Sequence, residues 1–134
     1  MIRVELLLAT AVIAAATSSI AERSQNPTRF DTPDVCPDQP PEPEWMTEMG
    51  PRDAHKRLLI QQIYRAESMQ RIVEAQSCEC ATRYPAWDAA EAEYRDRYAT
   101  GEYRDIVEAT SESRRLANEF RKVAKPICEA AGNW

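Results

Sequence analysis

Residues 51–80, PRDAHKRLLIQQIYRAESMQRIVEAQSCEC, carry the pattern that decides the fold. Within them Leu59, Ile63, Ala66, Met69 or Gln70, and Val73 recur every three or four residues, and Ile60 and Ile72 widen the stripe. That spacing gathers the apolar side chains on one face of an α-helix. Pro51 suits the first turn, where its missing N–H is no loss, and Asp53 complements the positive end of the helix. The stretch therefore predicts a helix from about 51 to 77 that delivers Cys78-Glu79-Cys80 at its far end.

Beyond it, Tyr84-Pro85 marks the next start, because a residue before proline avoids helical geometry and proline favours the first helical position. Trp87, Ala90, Tyr94 and Tyr98 form a second stripe, supported by Glu91–Arg95 and Glu93–Arg97 pairs at i,i+4. A third stripe reads Tyr103, Ile106, Thr110, Ser113, Ala117, Phe120, Ala124 and Ile127. Its phase does not continue the second, and Thr100-Gly101 lies at the slip, so a break is expected there. The competing arrangement is one long helix through Gly101. Pro126 is expected to end or kink the last helix. No strand pattern appears, so residues 51–134 read as a small all-α domain, a three-helix bundle.

On the other side, seven of the nine prolines fall between Pro27 and Pro51. Proline fixes φ and lacks a donor, which predicts an extended, partly polyproline arm over residues 22–50. Before it, Leu6 to Ala16 reads LLLATAVIAAA with Thr10 alone polar, Arg3 precedes it, and Ser19-Ile20-Ala21 follows with a small-x-small pattern. Eleven apolar residues span about 16 Å as a helix, roughly half a bilayer core, so residues 1–21 read as a cleaved signal peptide. The protein is then expected to be secreted or periplasmic after cleavage near Ala21, with no membrane attachment. Asn26-Pro27-Thr28 cannot be glycosylated with proline in the middle.

Cys36, Cys78, Cys80 and Cys128 are an even set in an exported chain and predict two disulfides. Pairing Cys78 with Cys80 closes a very small ring of poor geometry. A rising first helix, a descending second and a rising third bring Cys78, Cys80 and Cys128 to one pole. An arm of about 43 Å at the polyproline rise, laid against a helix of about 40 Å, returns Cys36 to the same place. Which inner cysteine takes which outer one is left open by this argument.

Composition narrows the function. A net charge of −5 argues against nucleic-acid binding. One His removes most metal-hydrolase and Ser-His or Cys-His schemes, and three Gly leave no material for a phosphate-binding loop. Asp88, Glu91, Asp105, Glu108 and Glu112 alternate with arginines, the pattern of a solvated helix face more than of a catalytic carboxylate pair. The expectation is a non-enzymatic protein without cofactor that acts on another envelope or extracellular protein, as an accessory subunit, chaperone or inhibitor. Trp45 and Trp134, with Tyr94, Tyr98 and Tyr103 near the lower turn, are the candidate contact residues, because large amphipathic side chains favour interfaces. An alternative is periplasmic copper binding through Met46, Met49 and His55, since soft ligands select Cu(I), or thiol–disulfide exchange by the C-x-C pair. Peptide mass mapping of the exported protein without reductant is expected to find its N-terminus at Glu22 and no free thiol; an intact Met1 would remove the cleaved-signal reading.

Overall fold

The computed structural model describes residue 36 and residues 39–134, so the expected signal peptide and the first half of the arm lie outside the described residues. Where the arm is described it departs from the expected extended course: Glu44–Thr47 forms a one-turn helix, α1. Pro43 stands just before it and its carbonyl accepts the Met46 N–H at 2.9 Å and the Thr47 N–H at 3.3 Å. The four residues after Pro43 contain no proline, so nothing blocks the turn. The turn drives Met46 wholly into the core.

A 3-10 turn, Pro51–Asp53, leads into α2, Ala54–Ala75, so the expected start at Pro51 is a tighter turn and the α-helix proper begins at Ala54. It ends at Gln76, which adopts left-handed geometry (φ 49°) and donates from Nε2 to the Val73 carbonyl at 2.6 Å. That reversal throws Cys78 inward. A further single turn, α3, covers Cys80–Arg83, and α4 covers Asp88–Arg97. The second long helix therefore starts three residues after the expected Pro85. The Pro85 carbonyl accepts the Tyr64 hydroxyl at 2.9 Å, and Trp87 stacks on the Tyr64 ring at 4.0 Å. These contacts hold residues 85–87 outside the helix.

The break at Gly101 is present. Its N–H donates to the Tyr98 carbonyl at 2.9 Å, and a Cβ there would meet that carbonyl oxygen at 3.1 Å and Ile106 Cδ1 at 3.3 Å. The last helix, α5, spans Tyr103–Ala130 and runs through Pro126 where the sequence predicted an end or a kink. Proline removes one hydrogen bond near the helix end, yet Cys128 beyond it is buried and the helix is closed properly. Gly132 (φ 75°) turns the chain so that its own N–H reaches the Glu129 carbonyl and the Asn133 N–H reaches the Cys128 carbonyl. This is a Schellman closure, for which the left-handed position after the helix favours glycine.

α2 and α5 run parallel in matched register, with α4 returning between their ends. At the lower end the His55 and Tyr103 rings meet edge-on at 4.9 Å; midway Arg65 donates to Asn118; at the upper end Cys78 bridges Cys128. α5 makes its main contact with α2, and α4 packs on α2 as well. Among the described residues there is no strand. The lower core is large, with Met46, Leu59, Ile60, Ile63, Tyr64, Trp87, Ala90, Tyr94 and Ile106 buried together. The upper core is small: Ile72, Cys78, Ala124 and Cys128. Helix lengths account for the difference. The 10 residues of α4 rise about 15 Å, whereas the 28 of α5 rise about 42 Å. Above Ser113 the bundle has two long helices, and Ala117 and Ala124 let them lie close.

Both disulfides stand at that thin upper end. They join Cys36 to Cys80 and Cys78 to Cys128, each with Cα atoms 5.0 Å apart. Asn133 locks them together: its Nδ2 donates to the Cys78 carbonyl at 2.8 Å and its Oδ1 accepts the Cys36 N–H at 3.2 Å. Bridges that close loops of 44 and 50 residues each stabilise by about 4 kcal/mol in the chain-entropy model. Replacing Cys78 and Cys128 together by Ala is expected to lower the urea-unfolding free energy by about 4 kcal/mol or more, because a buried pair also leaves a cavity. Replacing Cys36 and Cys80, both half-buried, is expected to cost less, and equal losses would refute this ranking.

Candidate interaction site

The residues singled out in the sequence fall into three environments. Trp45 is half-buried against α4: its Nε1 donates to Glu91 at 3.0 Å, its ring lies 6.4 Å from Tyr94, and Arg95 covers its face at 5.4 Å. Arg95 in turn pairs with Glu91 at 2.7 Å, so Trp45 clasps α1 onto α4. Tyr94 is buried and Tyr98 half-buried at the edge of the same core, whereas Tyr103 is 66% exposed. Tyr94 and Tyr98 thus pack inward, and of the three only Tyr103 is open to solvent.

Met46 lies in the core, Met49 packs half-buried against it, and His55 leans on Tyr103. All four cysteines are bridged, so none offers a thiolate. Among the described residues no group of three or more His, Cys, Asp or Glu side chains is placed to hold a metal ion.

Two surfaces remain open at the upper end. The first is a ridge on α5, where Leu116, Phe120, Val123 and Ile127 follow one another at intervals of four, three and four residues. Leu116 is 37% exposed and Val123 48%, Phe120 is half-buried, and Ile127 ends the ridge half-buried where it packs against the upper core. The ridge runs beside the buried stripe Ser113–Ala117–Ala124 and begins where α4, about 15 Å tall, has ended. Its outer border is charged. Arg115 bonds Glu112 and Lys122 bonds Glu119, and each partner holds its carboxyl below the ordinary glutamate range. The third stripe read from the sequence contains Phe120 and Ile127 but passes over Leu116 and Val123. The signal for them was a second apolar row, one step round the helix from the core row.

The second surface surrounds Trp134, which is 39% exposed. Arg83, Arg121 and Lys125 lie over its ring at 5.3, 5.1 and 6.0 Å. Arg83 also covers Tyr84 at 4.9 Å, and both line a groove of about 250 Å³ with Glu42, Arg65, Met69 and Trp87. Glu42 closes the arm side of the groove by accepting Arg57 Nε at 2.7 Å and Gln61 Nε2 at 2.5 Å. The Trp87 indole donates to the Pro40 carbonyl at 3.0 Å and fixes the arm in place. Trp134 was expected from the sequence; Arg83, Arg121 and the groove were not, because they meet only through the packing of α3 on the end of α5.

The carboxyl that stands out electrostatically is Glu67 on α2. Burial pushes it above the ordinary glutamate range and the nearby Glu93 adds to the shift, with Arg71 opposing. It sits in a shallow cleft with Gln70, Arg71 and Glu74. A raised acid can mark a functional site; here α2 supplies the whole lining of the cleft, with Glu74 as a second carboxyl in it. No protein-family model, curated protein or solved structure matches the chain.

The sign of the Glu67 shift gives a stability prediction. Between the unfolded value and the raised folded value the native state binds more protons, so stability falls as pH rises through that window. Glu67→Gln is expected to be more stable than the parent at pH 7, with the difference vanishing below about pH 4. Urea denaturation at the two pH values measures it; a less stable variant at pH 7 would show that the ionised carboxyl is favoured by the fold.

Proposed function

We propose that this chain is an exported, non-enzymatic protein that binds another protein of the cell envelope or extracellular space through the upper half of α5. The observation that carries the reading is the Leu116–Phe120–Val123–Ile127 ridge. Its spacing is that of a helix seam, so it matches an apolar stripe on a partner helix lying alongside. The border of Glu112, Arg115, Glu119 and Lys122 supplies the polar rim that a reversible interface uses to fix register. Apolar contact then gives affinity: covering one such aliphatic side chain is worth about 1–2 kcal/mol.

Export is supported from both ends of the argument. The apolar run Leu6–Ala16 and the small residues before Glu22 have the form of a cleaved signal. Two disulfides fit an oxidising compartment, and among the described residues no helix is long and apolar enough to cross a membrane. Under this reading the protein is secreted or periplasmic, and the disulfides keep a thin two-helix end rigid enough to present its ridge.

A photo-crosslinking residue at position 123, introduced in the native host, tests the reading. The expected result is one defined heterologous adduct in the exported fraction, lost on adding Leu116→Asp and absent with the crosslinker at the exposed position 104. Leu116→Asp is expected to lower the unfolding midpoint only slightly, because the side chain is more than a third exposed and the carboxylate can reach solvent. Adducts that are equal at 104 and 123, or indifferent to Leu116→Asp, would overturn the proposal.

A further inference from the structure

We infer that the groove beside Trp134 is a second binding site, separate from the α5 ridge, and that its ligand is an acidic peptide segment carrying a large apolar side chain. The chain is net −5, and Lys56, Arg57, Arg95, Arg97, Arg115, Lys122 and Lys125 all sit within ion-pair distance of a carboxylate. Seven arginines have no such partner among the described residues, and three of them, Arg65, Arg83 and Arg121, come from three different helices to the groove and its Trp134 border. The carboxylate in the groove lining, Glu42, is already taken by Arg57 and Gln61, so gathering these guanidiniums is unfavourable unless a further anion joins them. Arg83 and Arg121 lie on aromatic faces with their edges free, the geometry that takes a carboxylate by two parallel hydrogen bonds, while Arg65 gives one N–H to Asn118.

The aromatic side of the site has the same unfinished character. The Trp45 indole N–H is taken by Glu91 and that of Trp87 by the Pro40 carbonyl, whereas that of Trp134 has no acceptor among the described residues. The groove shared by Arg65 and Arg83 has Met69, Tyr84 and Trp87 in its lining. At about 250 Å³ it is smaller than a pocket for a whole small ligand and of a size for one large side chain. Carboxylates on either side of that side chain would reach Arg65 and Arg83 within the groove and Arg121 beside Trp134.

The site is also held in place before any ligand arrives. Asn133, next to Trp134, is buried and bonded to Cys36 and Cys78. Arg83 ends the one-turn helix that begins at Cys80, itself bridged to Cys36. Both halves of the cluster therefore stand on the disulfides, and little ordering remains to oppose binding.

Nitrogen-15 NMR of the oxidised, exported chain gives a direct readout, because three tryptophans yield three indole N–H signals. The probe is the acetylated, amidated peptide DEDFEDE, with KRKFKRK, DEDGEDE and sodium sulfate as comparisons. The expected result is a saturable shift of the Trp134 indole with DEDFEDE, at most a small one with the others, and weakening as salt rises. Arg83→Gln with Arg121→Gln is expected to weaken binding about tenfold or more, equal to about 1.4 kcal/mol or more, while Leu116→Asp leaves it unchanged. A Trp134 signal that does not move, that moves alike with sulfate or KRKFKRK, or that ignores the double variant would overturn the site. A shift that follows protein concentration without peptide would assign the groove to a second copy of the chain, and overturns the inference equally.

Discussion

The structure depends on two long helices, α2 and α5, that run in the same direction and must be held together where no third helix reaches. At the lower end this is done by ordinary burial: Trp87, Tyr94 and Met46 fill the space left by the return of α4. At the upper end there is too little apolar side chain to bury, and the Cys78–Cys128 bridge with Asn133 stands in for it. A covalent bridge does its work mainly on the unfolded chain, by removing the freedom of a 50-residue loop. It can therefore secure an end that keeps its apolar residues outside. The exposed α5 ridge and the open groove are consequences of that substitution of sulfur for hydrophobic core.

The arm has a comparable role on the lower half. Glu42, Trp45, Met46 and the Pro40 carbonyl each find partners on α2 or α4. A proline-rich segment loses little conformational freedom on docking, since its φ angles are already fixed. That makes it a cheap additional layer for a domain of two long helices and one short one. It also forms one wall of the groove, so the same residues that complete the core shape the surface.

What could be read from the sequence followed from local rules. The 3.6-residue stripes in 54–75 and 88–97, the phase slip at Gly101 and the even cysteine set each have a cause within a few residues, and each corresponds to an observed feature. The errors arose where tertiary contacts overrode those rules. Pro85 does not open a helix because Tyr64, twenty-one residues earlier, holds its carbonyl. Pro126 does not end one because Cys128 and Gly132 secure the turn beyond it. The one-turn helix at Glu44–Thr47 exists because Met46 has a core to enter. The surfaces were less legible still. Trp134 could be suspected from its size alone, but the guanidiniums around it belong to helices whose meeting no local pattern announces.

The pairing of the four cysteines has a consequence for biosynthesis. Cys36 joins the third cysteine in the chain and Cys78 the fourth, so the two loops interlock instead of following one another. A chain crossing a membrane from its N-terminus presents Cys36 and Cys78 to the oxidising side before Cys80 or Cys128 has arrived. The first pair available is thus a mispair, and it can be resolved only by attack of a later thiolate on the bond already made. Cys80, two residues from Cys78, is placed to make that attack, and Asn133 can fix the exchanged arrangement only after α5 has emerged and turned. Under the proposed export, any Cys36–Cys78 mispair would have to be reshuffled before the native pairs could close.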